Sequence, residues 1–191
     1  TLREDMRVLI TYGRQQPYPP FGVHLTDAVR SLGHPAVLLC VRDRPWWGVC
    51  AKRLPRPWKT WWQWNPDEWA AQHLVKAVAD YRPDVVLELG GNLFDASTLG
   101  EIKRRFGTRL VMWLTEGPLP DGPTPDLVEY DMVMSTSRIA VEQLQNAGLR
   151  AVAYLPFATD LTWFHPGQTA GLRSRCPIGC IGAHSPKRAE F

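Results

Sequence analysis

Short apolar runs alternate along this chain with stretches in which apolar residues recur every three or four positions. The runs Arg7 to Tyr12 (RVLITY), Ala36 to Val41 (AVLLCV), Asp84 to Leu89 (DVVLEL), Arg109 to Leu114 (RLVMWL), Met132 to Ser135 and Ala151 to Leu155 predict six strands. Between the first two, Leu25, Val29 and Leu32 have helical spacing, and Gly33 follows as a residue that can stop a helix in the left-handed conformation. Asn65, Pro66 and Glu68 predict the start of a second helix, as an N-cap, a first-turn proline and an acid placed to reach back to the cap; that helix should run to about Tyr81. Thr98 and Glu101 have capping-box spacing ahead of a helix that buries Leu99, Ile102 and Phe106 and closes at Gly107. Ala140, Leu144 and Ala147 predict a helix between the last two strands.

Strands alternating with helices build parallel sheets through helical crossovers, and strands this continuously apolar are expected to be covered on both faces. The expected fold class is therefore α/β, a Rossmann-like parallel sheet of about six strands flanked by helices, occupying residues 1–155. From Pro156 to about residue 176 the sequence is rich in proline, glycine and polar residues without a period, which reads as a linker. Pro177 to Ile181 is then a fresh strand, followed by a Gly182 turn and a basic helix start. That pattern predicts a second domain that residues 177–191 only begin.

Composition narrows the class without choosing a function. With 45% hydrophobic and 21% charged residues in 191 the chain has the makeup of a folded domain, which argues against disorder. Its net charge of +3 falls short of the concentrated basic excess of a dedicated nucleic-acid binder, so no nucleic-acid partner is favoured. No apolar run approaches the roughly 20 residues that span a bilayer, and the charged N-terminus has no signal-like apolar segment; the expectation is a cytoplasmic protein. Cys40 and Cys50 are far apart, and the Cys176/Cys180 pair lacks a second pair, so no metal signature is present and no metal or cofactor is expected. Cys40 falls in a predicted strand, as a buried thiol would.

The segment from Pro83 to Pro118, the later DMVMSTSRIAVEQLQNAGL, then LPFATDLTWFHP and IGCIGAHSPKR, resemble the CgeB-like glycosyltransferases, named for spore maturation proteins. The resemblance runs continuously from Tyr81 to Arg188 and is looser before it. Phe157, Asp160, Phe164 and Pro166 are similar to the turn that leads from the first to the second domain in enzymes of the GT-B fold. The resemblance implies that the chain is the N-terminal half of a GT-B architecture plus the start of the second half. It also implies transfer of a sugar from a nucleotide-sugar substrate to an acceptor, with the first domain mostly holding the acceptor and the second most of the nucleotide. Such enzymes generally work without the metal-binding DxD motif, which this sequence lacks, and the chain by itself should be inactive.

In a parallel α/β sheet, ligands gather beyond the carboxyl ends of the strands, which selects the candidate residues. After the first strand come Gly13, Arg14, Phe21 and Gly22, where glycine either lets backbone N–H groups approach a sugar or phosphate or serves a tight turn. His24 is a base candidate just beyond, set against a packing or surface role. No GxGxxG fingerprint follows this strand, which argues against a dinucleotide enzyme. Glu88, Gly90, Gly91 and Asn92 follow the third strand and suit either hydroxyl recognition or a structural turn. After the fourth come Thr115 and Glu116; Glu116 is the leading catalytic candidate, because transfer to a hydroxyl can use a carboxylate base and this loop faces the cleft in the similar enzymes. Capping or simple hydrogen bonding is its competing role. By the same resemblance Gly182, Ser185, Lys187 and Arg188 meet the donor diphosphate, where two cations would neutralise the leaving nucleotide; a solvated helix start is the other reading.

Seven of the nine tryptophans lie between Trp46 and Trp69, interleaved with Arg42, Arg44, Lys52, Arg53, Arg56 and Lys59. Residues 42–64 therefore read as an insertion. It can stack an acceptor sugar, rest on an anionic membrane surface as a peripheral contact, bind single-stranded nucleic acid, or pack on the domain or on a second copy in a homo-oligomer. A non-catalytic binding module recognising a glycan, lipid or protein partner through this segment is the alternative to the enzyme.

Overall fold

The computed structural model describes residues 5–13, 21–41, 65–91, 93–115, 119 and 125–158. All of them fall within the first of the chain's two compact units, Thr1–Ala158. The expected tryptophan-rich insertion 42–64 and the segments 159–176 and 177–191 lie outside the described residues.

Six strands form one sheet: β1 (Val8–Tyr12), β2 (Ala36–Cys40), β3 (Val85–Leu89), β4 (Arg109–Leu114), β5 (Met132–Ser135) and β6 (Val152–Tyr154). Their order is β2-β1-β3-β4-β5-β6, and every neighbouring pair is parallel. The strands are those the apolar runs predict, trimmed by a residue at some ends, where the ladder stops before the apolar pattern does. The Rossmann-like expectation holds: α1 (Phe21–Ser31) covers one face, while α2 (Pro66–Tyr81), α3 (Ala96–Phe106) and α4 (Arg138–Asn146) cover the other. A 3-10 helix at Pro125–Glu129, which no periodicity announced, joins the second face.

The two faces follow from period-two alternation. Leu9, Val86, Leu110, Met112 and Val133 point to the larger core, packed with Leu74 and Val78 of α2, Leu99 and Ile102 of α3, Leu127 of the 3-10 helix and Leu144 of α4. Val8, Ile10 and Leu89 point the other way, toward Leu25 and Val29 of α1. Coverage is thinnest at the two edges of the sheet. Val37 on edge strand β2 is 39% exposed and Tyr154 on edge strand β6 is 40% exposed, because an edge strand has neighbours on one side only.

Several local expectations are corrected. Leu32 lies past the end of α1 and is 75% exposed, so it belongs to the C-terminal turn and not to the buried stripe; Gly33 does take the left-handed φ of +87°. Gly22 is not in a turn but inside α1, buried, where an added Cβ would come within 2.9 Å of Leu38 Cδ1 on β2; helix and strand approach closely here because the side chain is missing. Asn65 caps α2 by accepting from the Asp67 amide at 3.0 Å, while the Glu68 carboxylate accepts from Gln72 one turn on rather than reaching back. The cap of α3 is Asp95, which accepts from the Thr98 amide at 2.9 Å, so the helix starts earlier than the Thr98/Glu101 pattern suggests and Glu101 pairs instead with Arg105. Gly107 ends α3 with φ +66°, as its position predicts. Ala147 is the exposed C-cap of α4 and not part of its buried face.

Candidate functional site

The connection from β1 moves one way along the sheet to β2, and the later connections move the other way, from β3 out to β6. Right-handed crossovers then place α1 on one face and the later helices on the opposite face, which opens a crevice between β1 and β3 at their carboxyl ends. Tyr12 and Leu89 are in register there, so Gly13 and Gly90 leave the sheet side by side.

Gly90 organises this point. Its φ of +101° is one that residues with a side chain rarely adopt, and its N–H donates to the carbonyl of Trp113 at 3.0 Å. A Cβ placed on it would stand 3.6 Å from Tyr12 Cε2 and 3.9 Å from Thr115 Oγ1, so the tyrosine ring and the threonine hydroxyl both lie beside it. Among the described residues beyond its chain neighbours, no atom lies within 4 Å of where a side chain on Gly91 would begin. Thr115 is held in turn by Thr136, whose hydroxyl donates to the Thr115 carbonyl at 3.2 Å. Gly13, Gly90, Gly91 and Thr115 thus come from three loops to one place, where glycine backbone and a threonine hydroxyl lie beside an aromatic ring.

A shelf of rings adjoins it on the α1 face. Phe21, at the start of α1, stacks on Phe157 with centroids 5.5 Å apart, and Trp113 meets the same phenylalanine at 5.9 Å and a tilt of 50°. The Trp113 indole N–H donates to the Leu155 carbonyl at 3.1 Å, which ties the chain beyond β6 to β4. Phe21 and Phe157 remain 40% and 51% exposed. His24 lies half-buried on the next turn of α1. Arg14, Asn92, Glu116, Gly182, Ser185, Lys187 and Arg188 lie outside the described residues.

Beneath the crevice, on the helix-rich face, Glu88 is 1% exposed. It belongs to β3 itself, as the apolar run Asp84 to Leu89 predicts, and not to the loop that follows. Its Oε1 accepts from the Leu93 amide at 2.8 Å, and its Oε2 accepts from the Tyr130 hydroxyl. Burial pushes its carboxyl up to about 7, against the opposing pull of the Tyr130 and Leu93 hydrogen bonds. Burial likewise raises the Tyr130 phenol, and the nearby Glu88 charge raises it further, so Tyr130 stays a donor throughout the physiological range. An acid inside an apolar strand was the available signal for Glu88, since carboxylates are rarely fully buried without partners. Tyr130 carried no signal, because its partner lies 42 residues away.

Among the described residues no cluster of three or more His, Cys, Asp or Glu side chains could hold a metal ion, and no helix is long and apolar enough to cross a membrane.

The fold places the described part of the chain among Rossmann-like α/β domains. It is similar to the crystal structure of MurG from Acinetobacter baumannii (TM-score 0.50, 10% identity, covering 81% of this chain and 47% of that one). It is also similar to the S. aureus MnaA–UDP co-structure (TM-score 0.50, 12% identity, covering 77% of this chain and 44% of that one). The chain thus spans less than half the length of either protein, and at these identities the likeness is one of fold. No family model and no curated protein matches the sequence.

Proposed function

We propose that this chain is the acceptor-side half of a GT-B glycosyltransferase, acting on a nucleotide-sugar donor, as its resemblance to the CgeB-like enzymes implies. The observation that carries the reading is the convergence of Gly13, Gly90, Gly91 and Thr115 at the β1/β3 crevice, where α/β sheets bind ligands. The fold likeness to MurG and to a UDP-bound MnaA, each over less than half its length, supports a sugar-nucleotide enzyme of which this is one part.

In this reading the glycine backbones and the Thr115 hydroxyl hold acceptor hydroxyls, and the Phe21–Phe157 shelf offers apolar ring edges to a sugar. Arg14 and Asn92 add polar contacts from the same loops. Glu116, one residue past Thr115, is the base that takes the acceptor proton as the new glycosidic bond forms, with His24 as the second candidate. Gly182, Ser185, Lys187 and Arg188 form the donor-phosphate group, and the chemistry requires no metal.

The test is an assay of the full-length protein against a panel of nucleotide sugars for hydrolysis or transfer, repeated with Glu116→Gln. The expected result is turnover of at least one donor and a loss of about 10²- to 10⁴-fold in the variant, the usual worth of a positioned base. Turnover of no donor overturns the proposal and favours the non-catalytic binding module.

A further inference from the structure

Glu88 is a buried acid for which transfer chemistry has no direct use, yet both of its oxygens are occupied by donors from separate parts of the chain. The Leu93 amide closes a loop back onto Oε1 around Gly90 and Gly91, and the Tyr130 hydroxyl, at the exit of the 3-10 helix, fixes Oε2. Two converging donors require an acceptor on both oxygens, which an ionised carboxylate supplies and a protonated acid or an amide does not. The same two segments are joined a second time, by the Ala96 amide donating to Asp126 at 3.0 Å. Next to Glu88 in the sheet register stands Thr11, whose hydroxyl is fully buried and, among the described residues, has no hydrogen-bond partner.

We propose that Glu88 is a positioning residue for the crevice: its ionised carboxylate holds the left-handed Gly90 turn through Leu93, and proton uptake at this carboxylate loosens the turn. The proton goes onto one carboxylate oxygen, which must then donate. Either the Tyr130 hydroxyl turns over to accept it from Oε2, leaving Oε1 a neutral carbonyl that holds the Leu93 amide more weakly than a carboxylate does, or the Thr11 hydroxyl accepts it from Oε1 and the Leu93 amide is displaced. The groups that face Glu88 are Thr11 from β1, Met112 from β4, and Tyr130 with Asp126 behind it from the 3-10 segment. Among the described residues no cation contributes to its charge state. The link to activity rests on the proposed transferase reading; the effect on the turn does not.

The experiment follows the backbone amide signals of Gly90, Gly91 and Leu93 by nuclear magnetic resonance in the full-length protein between pH 5 and 9, alongside the pH profile of kcat/KM for the donor found above. The three amides are expected to titrate together with a midpoint near 7. Glu88→Gln should abolish that step, and Tyr130→Phe should move it upward by removing a bond that favours the charged form. The wild-type kcat/KM should fall about tenfold from pH 8 to pH 6 by a limb missing in Glu88→Gln, the population change expected for a group titrating midway. Amides that do not titrate, or that titrate unchanged in Glu88→Gln, overturn the proposal. Amides that titrate while no nucleotide sugar is turned over support the role in the turn and overturn the transferase reading.

Discussion

Replacing Glu88 by Gln should make the protein more stable at pH 8 than the wild type, and by an amount that vanishes in acid. An exposed glutamate titrates at 4.5 and Glu88 at about 7, so between these values the folded state holds a proton that the unfolded chain has released. Stability from this group is therefore fully present below pH 4.5 and is lost as pH rises through about 7. Each pK unit is worth about 1.4 kcal/mol, so the whole window amounts to about 3 kcal/mol, of which roughly 2 to 3 kcal/mol falls between pH 5 and pH 8. Gln keeps the shape, still accepts from Leu93 with its carbonyl, and turns its amide toward a Tyr130 oxygen that can accept. Urea unfolding of both proteins at matched pH isolates the effect, because every other titrating group is common to the two and cancels. The difference in unfolding free energy should grow in favour of the variant from pH 5 to pH 8. A difference that stays flat with pH would show that Glu88 does not exchange a proton in this range, and that burial is not its controlling influence.

Two further predictions concern the local corrections and the crevice. Asp95→Ala should cost about 1 kcal/mol in chemical unfolding through loss of the α3 cap, whereas Glu101→Ala should change stability by less than about 0.5 kcal/mol, as expected for an exposed helical pair. Equal effects would restore the capping role to Thr98 and Glu101. Gly90→Ala should cost about 1 to 2 kcal/mol from backbone strain alone, because at φ +101° the added methyl makes ordinary contacts with Tyr12 and Thr115; a loss well beyond that would mean the space is tighter than the geometry gives.

The sheet was legible because its signal is local: an apolar run of five or six residues reads as a buried strand wherever its neighbours lie. Helix ends were less so. Asp95 and Thr98 lie within one turn of each other, both are good caps, and only the packing of Leu99 and Ile102 decides which one starts the helix. The crevice was legible in part, since glycines after strands mark themselves. What they gather around was not: Trp113 and Phe157 are adjacent only because the chain beyond β6 crosses back over β4, and Glu88 finds Tyr130 only once the 3-10 helix has packed. Gly22 is a different case: its place after a strand suggests ligand contact, and within α1 its missing side chain makes room for Leu38.

The reversal of strand order has a cost during synthesis. The first strand lies inside the finished sheet, yet the strand that flanks it on the crevice side is made much later; Arg7 finds its partner Asp84 only 77 residues on. Until then, among the described strands, a nascent chain can pair β1 with β2 alone and leaves an apolar edge with unmet N–H and C=O groups, a template for pairing with other chains. Ribosome-bound intermediates that stop short of β3 should therefore be the form of this protein most dependent on chaperones.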